Sequence, residues 1–308
     1  MQPVPATPSG GATLRPLGIG DVLDRVFGIY RARAIGLFVL GLILFVALVI
    51  AWIVLSVVFA FAGRSTFLRL SQQPTNDPVA LLANPAFIEL MGALFLYFII
   101  GWLISLLVGA VFTGAVIDAA AAAHLGQERS LSRSFVVGFQ SSLRIFLAGV
   151  LVTIAVTLIA VVFNIVFSFI NNGIVLFLLF CVYLFVQIYV QASWFVSPVV
   201  ATIERHGPIS SLRRSWQLST GFRWRIVGLV LLLIVLFVVL LLLVIFLVTV
   251  ITAANQTAGA IAVFIAIFAA VPLWTPLFFG TMTVLYYDLR VRKEGFDLQL
   301  AAEAMPRA

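Results

Sequence analysis

Charge is scarce in this chain: only 9% of its 308 residues are Asp, Glu, Lys or Arg, against roughly a quarter in a soluble domain. With 63% of residues hydrophobic, that deficit excludes an ordinary soluble domain and implies a protein that lives in lipid. Cys181 is the only cysteine, which excludes an internal disulfide and a cysteine-based metal cluster. Its place inside an apolar run reads as a small core hydrophobe. Of the 18 basic residues only Lys293 is lysine, a bias that suggests GC-rich coding and hence a bacterial source. Histidine is confined to His124 and His206, and the sequence has no HExxH, no Gly-rich phosphate loop and no nucleophile elbow. The reading is therefore a non-enzyme, with no catalytic residue, metal ligand or cofactor assigned.

What is abundant is long apolar blocks, each longer than the ~20 residues that a helix needs to cross a bilayer. Their uninterrupted character excludes the alternating pattern of a strand barrel. Six spans are expected, at about 35–62, 86–117, 145–170, 174–203, 226–253 and 259–285. Turns fall at Asn171-Asn172-Gly173 and near Asn255-Gln256-Thr257, short enough to make antiparallel hairpins of spans three and four and of spans five and six. The Asn255 sequon reads as a turn. Residues 1–13, rich in Pro, Gly and Ala, read as a disordered tail. Ala60-Phe61-Ala62 imitates a signal-peptide cleavage site, but the apolar run before it is too long for an h-region.

The basic residues set the orientation. Arg15, Arg25, Arg31, Arg33, Arg129, Arg133, Arg144, Arg205, Arg213, Arg214, Arg223, Arg225, Arg290, Arg292, Lys293 and Arg307 fall on one side of the spans, and only Arg64 and Arg69 on the other. By the positive-inside rule the heavy side is cytoplasmic. The expected location is the bacterial inner membrane with both termini in the cytoplasm. The formal charge of +7 then suits anionic lipid headgroups as partners, with no role for nucleic acid.

A pattern of Gly, four residues, Leu, any residue, Arg, any residue and an aromatic recurs before spans one, three and five. It is Gly18, Leu23, Arg25 and Phe27; then Gly126, Leu131, Arg133 and Phe135; then Gly207, Leu212, Arg214 and Trp216. Three matches in register with the topology argue for duplication. The expected unit is an interfacial amphipathic helix plus a transmembrane hairpin. This gives an all-α membrane domain over residues 14–285, with repeats at about 14–117, 126–203 and 207–285, and a cytoplasmic tail over 286–308. In the first copy Ile19, Val22, Leu23, Val26, Phe27 and Tyr30 share one face. Asp21 is placed to cap its start, and Ser130 or Ser132 and Ser210 are candidate caps for the later copies.

Each repeated Arg has two readings: it binds an anionic headgroup, or it pairs with one of the acids that end the even spans, Asp118, Glu204 and Asp288. Span five is almost pure Leu, Val, Ile and Phe, so the even spans are expected at the centre. Gly101, Ser105, Gly109 and Thr113 form a small-residue stripe suited to close helix packing. Tyr183, Gln187, Gln191, Trp194 and Pro198 lie along roughly one face of span four; they either bond neighbouring helices or line a substrate path. Pro272 and Pro276 mark a kink or a broken helix in span six. Glu89 is the best lone candidate for proton or cation coupling.

The run Leu14-Arg15-Pro16-Leu17-Gly18-Ile19-Gly20-Asp21-Val22-Leu23-Asp24-Arg25, with Gly207-Pro208 and Leu212-Arg213-Arg214-Ser215-Trp216, resembles the membrane domain associated with bacterial glycerophosphoryl diester phosphodiesterases. The stretch Tyr286-Tyr287-Asp288-Leu289-Arg290-Val291-Arg292-Lys293-Glu294-Gly295-Phe296 looks like the ending of stand-alone actinobacterial-type relatives. In such phosphodiesterases the chemistry belongs to a separate soluble barrel, so the resemblance carries no catalytic residue onto this chain. It implies a membrane module connected with envelope or lipid-related assemblies. The function expected is a non-enzymatic scaffold or regulator of membrane protein partners. The alternative is a transporter or lipid-handling protein with its site between the even spans.

Overall fold

A computed structural model describes residues 16–72, 77–127, 129–296 and 299; the expected tail over 1–13 lies outside them. Among the described residues the chain is all helix: α1 (Ile19–Ala32), α2 (Ala34–Ser71), α3 (Pro78–Leu82), α4 (Pro85–His124), α5 (Leu131–Ser168), α6 (Gly173–Trp194), α7 (Ser197–Ile203), α8 (Pro208–Ser219), α9 (Arg223–Ala254) and α10 (Gln256–Glu294). Six segments are long and apolar enough to cross a membrane: α2, α4, α5, α6 with α7, α9 and α10.

Local chemistry sets most of the boundaries. Asn172 caps α6 by accepting from the N–H groups of Ile174 (3.0 Å) and Val175 (3.2 Å), and Asn255 caps α10 through Ala258 (3.0 Å). α4 ends in a Schellman turn at Gly126 (φ +71°), where Gln127 N–H reaches the Ala122 carbonyl at 2.8 Å. α10 stops at the left-handed Gly295. Span four is interrupted between Trp194 and Ser197, because Pro198, near the start of α7, has no N–H for the helical ladder.

Several expected boundaries differ. The first and third motif copies form separate short helices, α1 and α8, each entered from its Gly. The second does not: residues 131–144 run directly into the span as one helix, α5. Gly221, with φ +88°, separates α8 from α9. Gln140-Ser141-Ser142-Leu143 offers no such breaker, so the helix continues. Gly126 likewise closes α4 instead of opening α5, which Ser130 caps by accepting from Arg133 N–H. In α1 the cap position is Gly18; Asp21 sits one turn in and accepts from Gly18 N–H at 2.9 Å. Ser210 is not a cap either, since its hydroxyl donates to the Gly207 carbonyl. The segment from Tyr286 to Glu294, expected as a tail, is the last part of α10. It stays helical because Tyr286, Tyr287, Asp288 and Leu289 are buried. Pro272 and Pro276 lie inside α10 without ending it.

The chain divides into two compact units. One comprises Ile43–Gly109. Within it the Trp52 indole donates to Ser105 Oγ at 3.0 Å, its ring packs where a Cβ on Gly101 would stand, and Tyr97 meets Ser56 Oγ at 2.9 Å. Half of the small-residue stripe therefore seats one tryptophan.

The other unit comprises the remainder, up to Leu42 and from Ala110. Its core joins Val22 and Val26 of α1 to Ile117 of α4, Val196 and Val199 beside and in α7, Leu218 of α8, Leu229 of α9, and Val284, Leu285 and Leu289 of α10. It gathers the C-terminal parts of the even spans under the two short amphipathic helices. Three close helix approaches are built on glycine: Gly114 of α4 against Gly138 of α5, Gly41 of α2 against Pro272 of α10, and Gly259 of α10 against Thr252 of α9.

Candidate functional site

The polar groups of the larger unit collect at the end where the acids close the even spans, in three sets. The first is centred on Asp288, whose side chain is fully buried. Arg225 of α9 pairs with it at 3.0 Å and Arg292 at 3.1 Å, while its carboxylate accepts from Leu17 N–H at 2.7 Å. Both arginines also donate to the Leu17 carbonyl. Two cations, one carboxylate and the backbone N–H and carbonyl of Leu17 thus compensate one another, as a buried charge requires, with Arg225 Nε alone among these groups left without a described partner. They tie the approach to α1 to the start of α9 and the end of α10.

The second set surrounds Glu204, which follows α7. It accepts from Arg214 Nε at 3.0 and 3.2 Å and from the Tyr286 hydroxyl at 2.7 Å. Arg214 reaches on to Glu294 at 2.6 Å, and Glu294 also pairs with Arg290. Burial alone would weaken the Arg214 cation, but hydrogen bonds and attraction from Glu204 and Glu294 outweigh it and hold its pKa above the ordinary arginine value.

The third set surrounds Asp118, buried in α4. One oxygen meets Arg129 and the other accepts from Ser134 Oγ at 2.8 Å. Beside it His124 stacks on Tyr287 with ring centroids 5.2 Å apart. Arg25 donates to the His124 carbonyl at 3.3 Å, and Arg33 to the carbonyls of Gln127 (2.9 Å) and Arg129 (3.3 Å). A pocket of about 240 Å³ opens here, walled by Asp118, Arg129, Arg133, Arg205 and Tyr287 among others.

The three motif arginines consequently differ. Arg214 is paired with Glu204, Arg25 caps the end of α4 through a carbonyl, and Arg133 lines the pocket. Asp118 and Asp288 take Arg129, Arg225 and Arg292, none of which belongs to the motif. Of the other motif positions, Leu23 and Leu212 are half-buried, Phe27 is exposed, and Leu131 packs where Gly36 leaves space. Phe135 meets Phe112 edge-on, and Trp216 carries the Arg223 guanidinium 4.6 Å from its ring centroid.

The residues of span four do not converge on one site. Gln187 is buried and donates to the Val156 carbonyl and the Tyr183 hydroxyl, each at 3.2 Å. Gln191 is exposed, and Trp194 packs near Trp216. Glu89 belongs to the Ile43–Gly109 unit, where it accepts from Thr66 at 2.9 Å and pairs with Arg69 at 2.7 Å.

Sequence reasoning missed a buried serine face. Ser211, Ser215 and Ser219 of α8 are fully buried, and Ser215 (2.9 Å) and Ser219 (3.2 Å) both donate to the Ser193 carbonyl near the end of α6. Their spacing of four residues was the available signal. Among the described residues no group of three or more His, Cys, Asp and Glu side chains is placed to hold a metal. Comparison of the chain with family models, with curated proteins and with solved structures gives no match.

Proposed function

We propose that the chain is a non-catalytic integral membrane module that scaffolds or regulates an envelope- or lipid-related assembly, with the arginine-rich end as its contact face. The observation that carries this reading is the chemistry of that end. Its three acids are each engaged in ion pairs and hydrogen bonds, which tie α4 to α5, the end of α7 to α8 and α10, and the approach to α1 to α9 and α10. Groups so fully paired are suited to holding a shape, not to exchanging protons with a substrate.

The same reading places the module in a bacterial cytoplasmic membrane with both termini inside. Its support is the distribution of basic residues, sixteen against two, and the use of arginine for all of them but Lys293. A threefold repeat is part of it, supported by the Gly-Leu-Arg-aromatic pattern and by the shared Gly entry of α1 and α8; the second copy has lost its break. The resemblance to the membrane domain of glycerophosphoryl diester phosphodiesterases points the same way, to anionic lipid and membrane protein partners. A transporter site among the even spans draws less support, since the Gln187 amide nitrogen is bonded to the Val156 carbonyl and the Tyr183 hydroxyl while Gln191 is exposed.

The test is native mass spectrometry of the protein extracted gently from its own membrane, beside a Glu204→Arg variant. The reading predicts a protein partner in fixed stoichiometry that the variant loses while remaining folded. No partner on the wild type, together with an unchanged envelope on deletion of the gene, would overturn it.

A further inference from the structure

Arg205 adopts a left-handed backbone conformation (φ 56°), the only described non-glycine residue that does. For a residue with a Cβ this conformation is strained. The sharp turn sends two consecutive side chains to different places: Glu204 to Arg214, and Arg205 to the pocket beside Asp118. Arg133 reaches the same pocket from α5, and Arg129 from the preceding turn.

Among the described residues the positive groups outnumber the acids there. Asp118 is the only described acid in the lining, and both its oxygens are already engaged, one by Arg129 and one by Ser134. Among the described residues neither Arg133 nor Arg205 has an ion-pair partner. Two guanidinium groups with no ion-pair partner among the described residues therefore rim a concave site whose floor is buried, with Tyr287 in its wall and Arg129 held in place by Asp118. Guanidinium groups recognise phosphate oxygens in a planar, two-bond geometry, and several of them around one pocket make an anion site.

We propose that this pocket binds a phosphate-bearing anion, held by Arg129, Arg133 and Arg205. Two sources share that chemistry: the headgroup of an anionic phospholipid and a small soluble phosphate ester. The lipid source rests on the membrane orientation proposed above, whereas the soluble source needs only the pocket. Asp118 is a positioning residue, acting through Arg129. The left-handed strain at Arg205 is retained because it delivers the third guanidinium.

The experiment uses the full chain in phosphatidylcholine nanodiscs, in two arms. In the first the discs are doped with phosphatidylglycerol, and native mass spectrometry counts the phosphatidylglycerol retained. In the second, glycerol 3-phosphate is titrated against undoped discs and the shift in melting temperature is followed. The variants are Arg133→Gln, Arg205→Gly and, away from the pocket, Arg144→Gln. Each pocket variant is expected to weaken binding about tenfold, the scale of one charged hydrogen-bonding partner, while Arg144→Gln changes it by less than about twofold. Because glycine relieves the strained turn, Arg205→Gly melts no lower than wild type without ligand, an outcome that a purely structural role for Arg205 would reverse. A response confined to one arm identifies the source. Equal binding by all variants overturns the pocket and leaves the basic contact face standing. No binding in either arm overturns the pocket too, and absence of phosphatidylglycerol retention also removes lipid recognition from the proposed function.

Discussion

Replacing Gly138 with alanine should destabilise the larger unit although it adds a single methyl group in a helix. A Cβ at this position would fall inside contact distance of the Val111 carbonyl oxygen and stand 2.7 Å from Ala115 N, both backbone atoms of α4. The facing glycine gives no room, since a Cβ on Gly114 would lie 2.8 Å from Gly138 Cα. Backbone cannot rotate aside as a side chain can, so α4 and α5 must separate and give up contacts around Ala110, Ala115 and Ile145. Overpacking of this kind costs about 1–3 kcal/mol. Alanine returns up to about 1 kcal/mol of helix propensity, which leaves a net loss of up to about 2 kcal/mol. The natural comparison is Gly28→Ala in α1, where a Cβ meets nothing within 4 Å and the propensity gain acts alone. Unfolding in mixed detergent micelles, titrated with dodecyl sulfate and followed by circular dichroism, measures both. The reasoning fails if Gly138→Ala is as stable as Gly28→Ala.

Reversing one partner of the second ion-pair set, as Arg214→Glu or Glu204→Arg, should cost about 2–4 kcal/mol, because it leaves like charges on a largely buried pair. The double reversal should recover part of that loss; a double variant no better than the worse single would show that the pair is not coupled. Tyr30, whose hydroxyl is buried without a partner, should tolerate replacement by phenylalanine with no loss and a gain of up to about 1 kcal/mol. Burial raises the Tyr30 pKa above 10, so the folded state keeps a proton that the unfolded chain releases, and stability falls as pH rises past about 10. Tyr30→Phe should lose less stability than wild type between pH 9 and 11 in the same titration, and an identical slope would refute this. In a Cys181→Ser background, single cysteines at Ser71 and Asn171 should react with an impermeant maleimide in intact spheroplasts and one at Ser132 should not; labelling at Ser132 would reverse the proposed orientation.

Apolar runs made the six spans legible, because a bilayer demands one kind of residue over a fixed length. Their ends were less so. α4 continues past the expected boundary at 117 through Ala119–Ala123, since alanine favours helix wherever the run ends. α10 continues through Tyr286–Glu294 because aromatic and charged groups there find partners far away in sequence. Asp288 is 271 residues from Leu17, and no local pattern announces that bond. The motif arginines were legible as a set, yet their partners were not: equal spacing put Arg25, Arg133 and Arg214 at like positions, while tertiary contacts gave each a different role. Glycine was legible only in part, for a related reason: Gly101 does seat Trp52. The four-residue stripe marks Gly101 and Gly109, but the approach of α4 to α5 needs a glycine on each helix, at Gly114 and Gly138, and pairing across helices leaves no mark on either run alone.

The contact face is the centre of this account, and a photo-crosslinking residue placed there in living cells tests it most directly. Ile209 on α8 is exposed beside Arg213, and Phe169 is exposed at the far end of α5. The account predicts one discrete protein adduct from position 209, lost on Glu204→Arg, and none from position 169. An adduct only at 169, or none at 209 in cells that carry the intact protein, would contradict it.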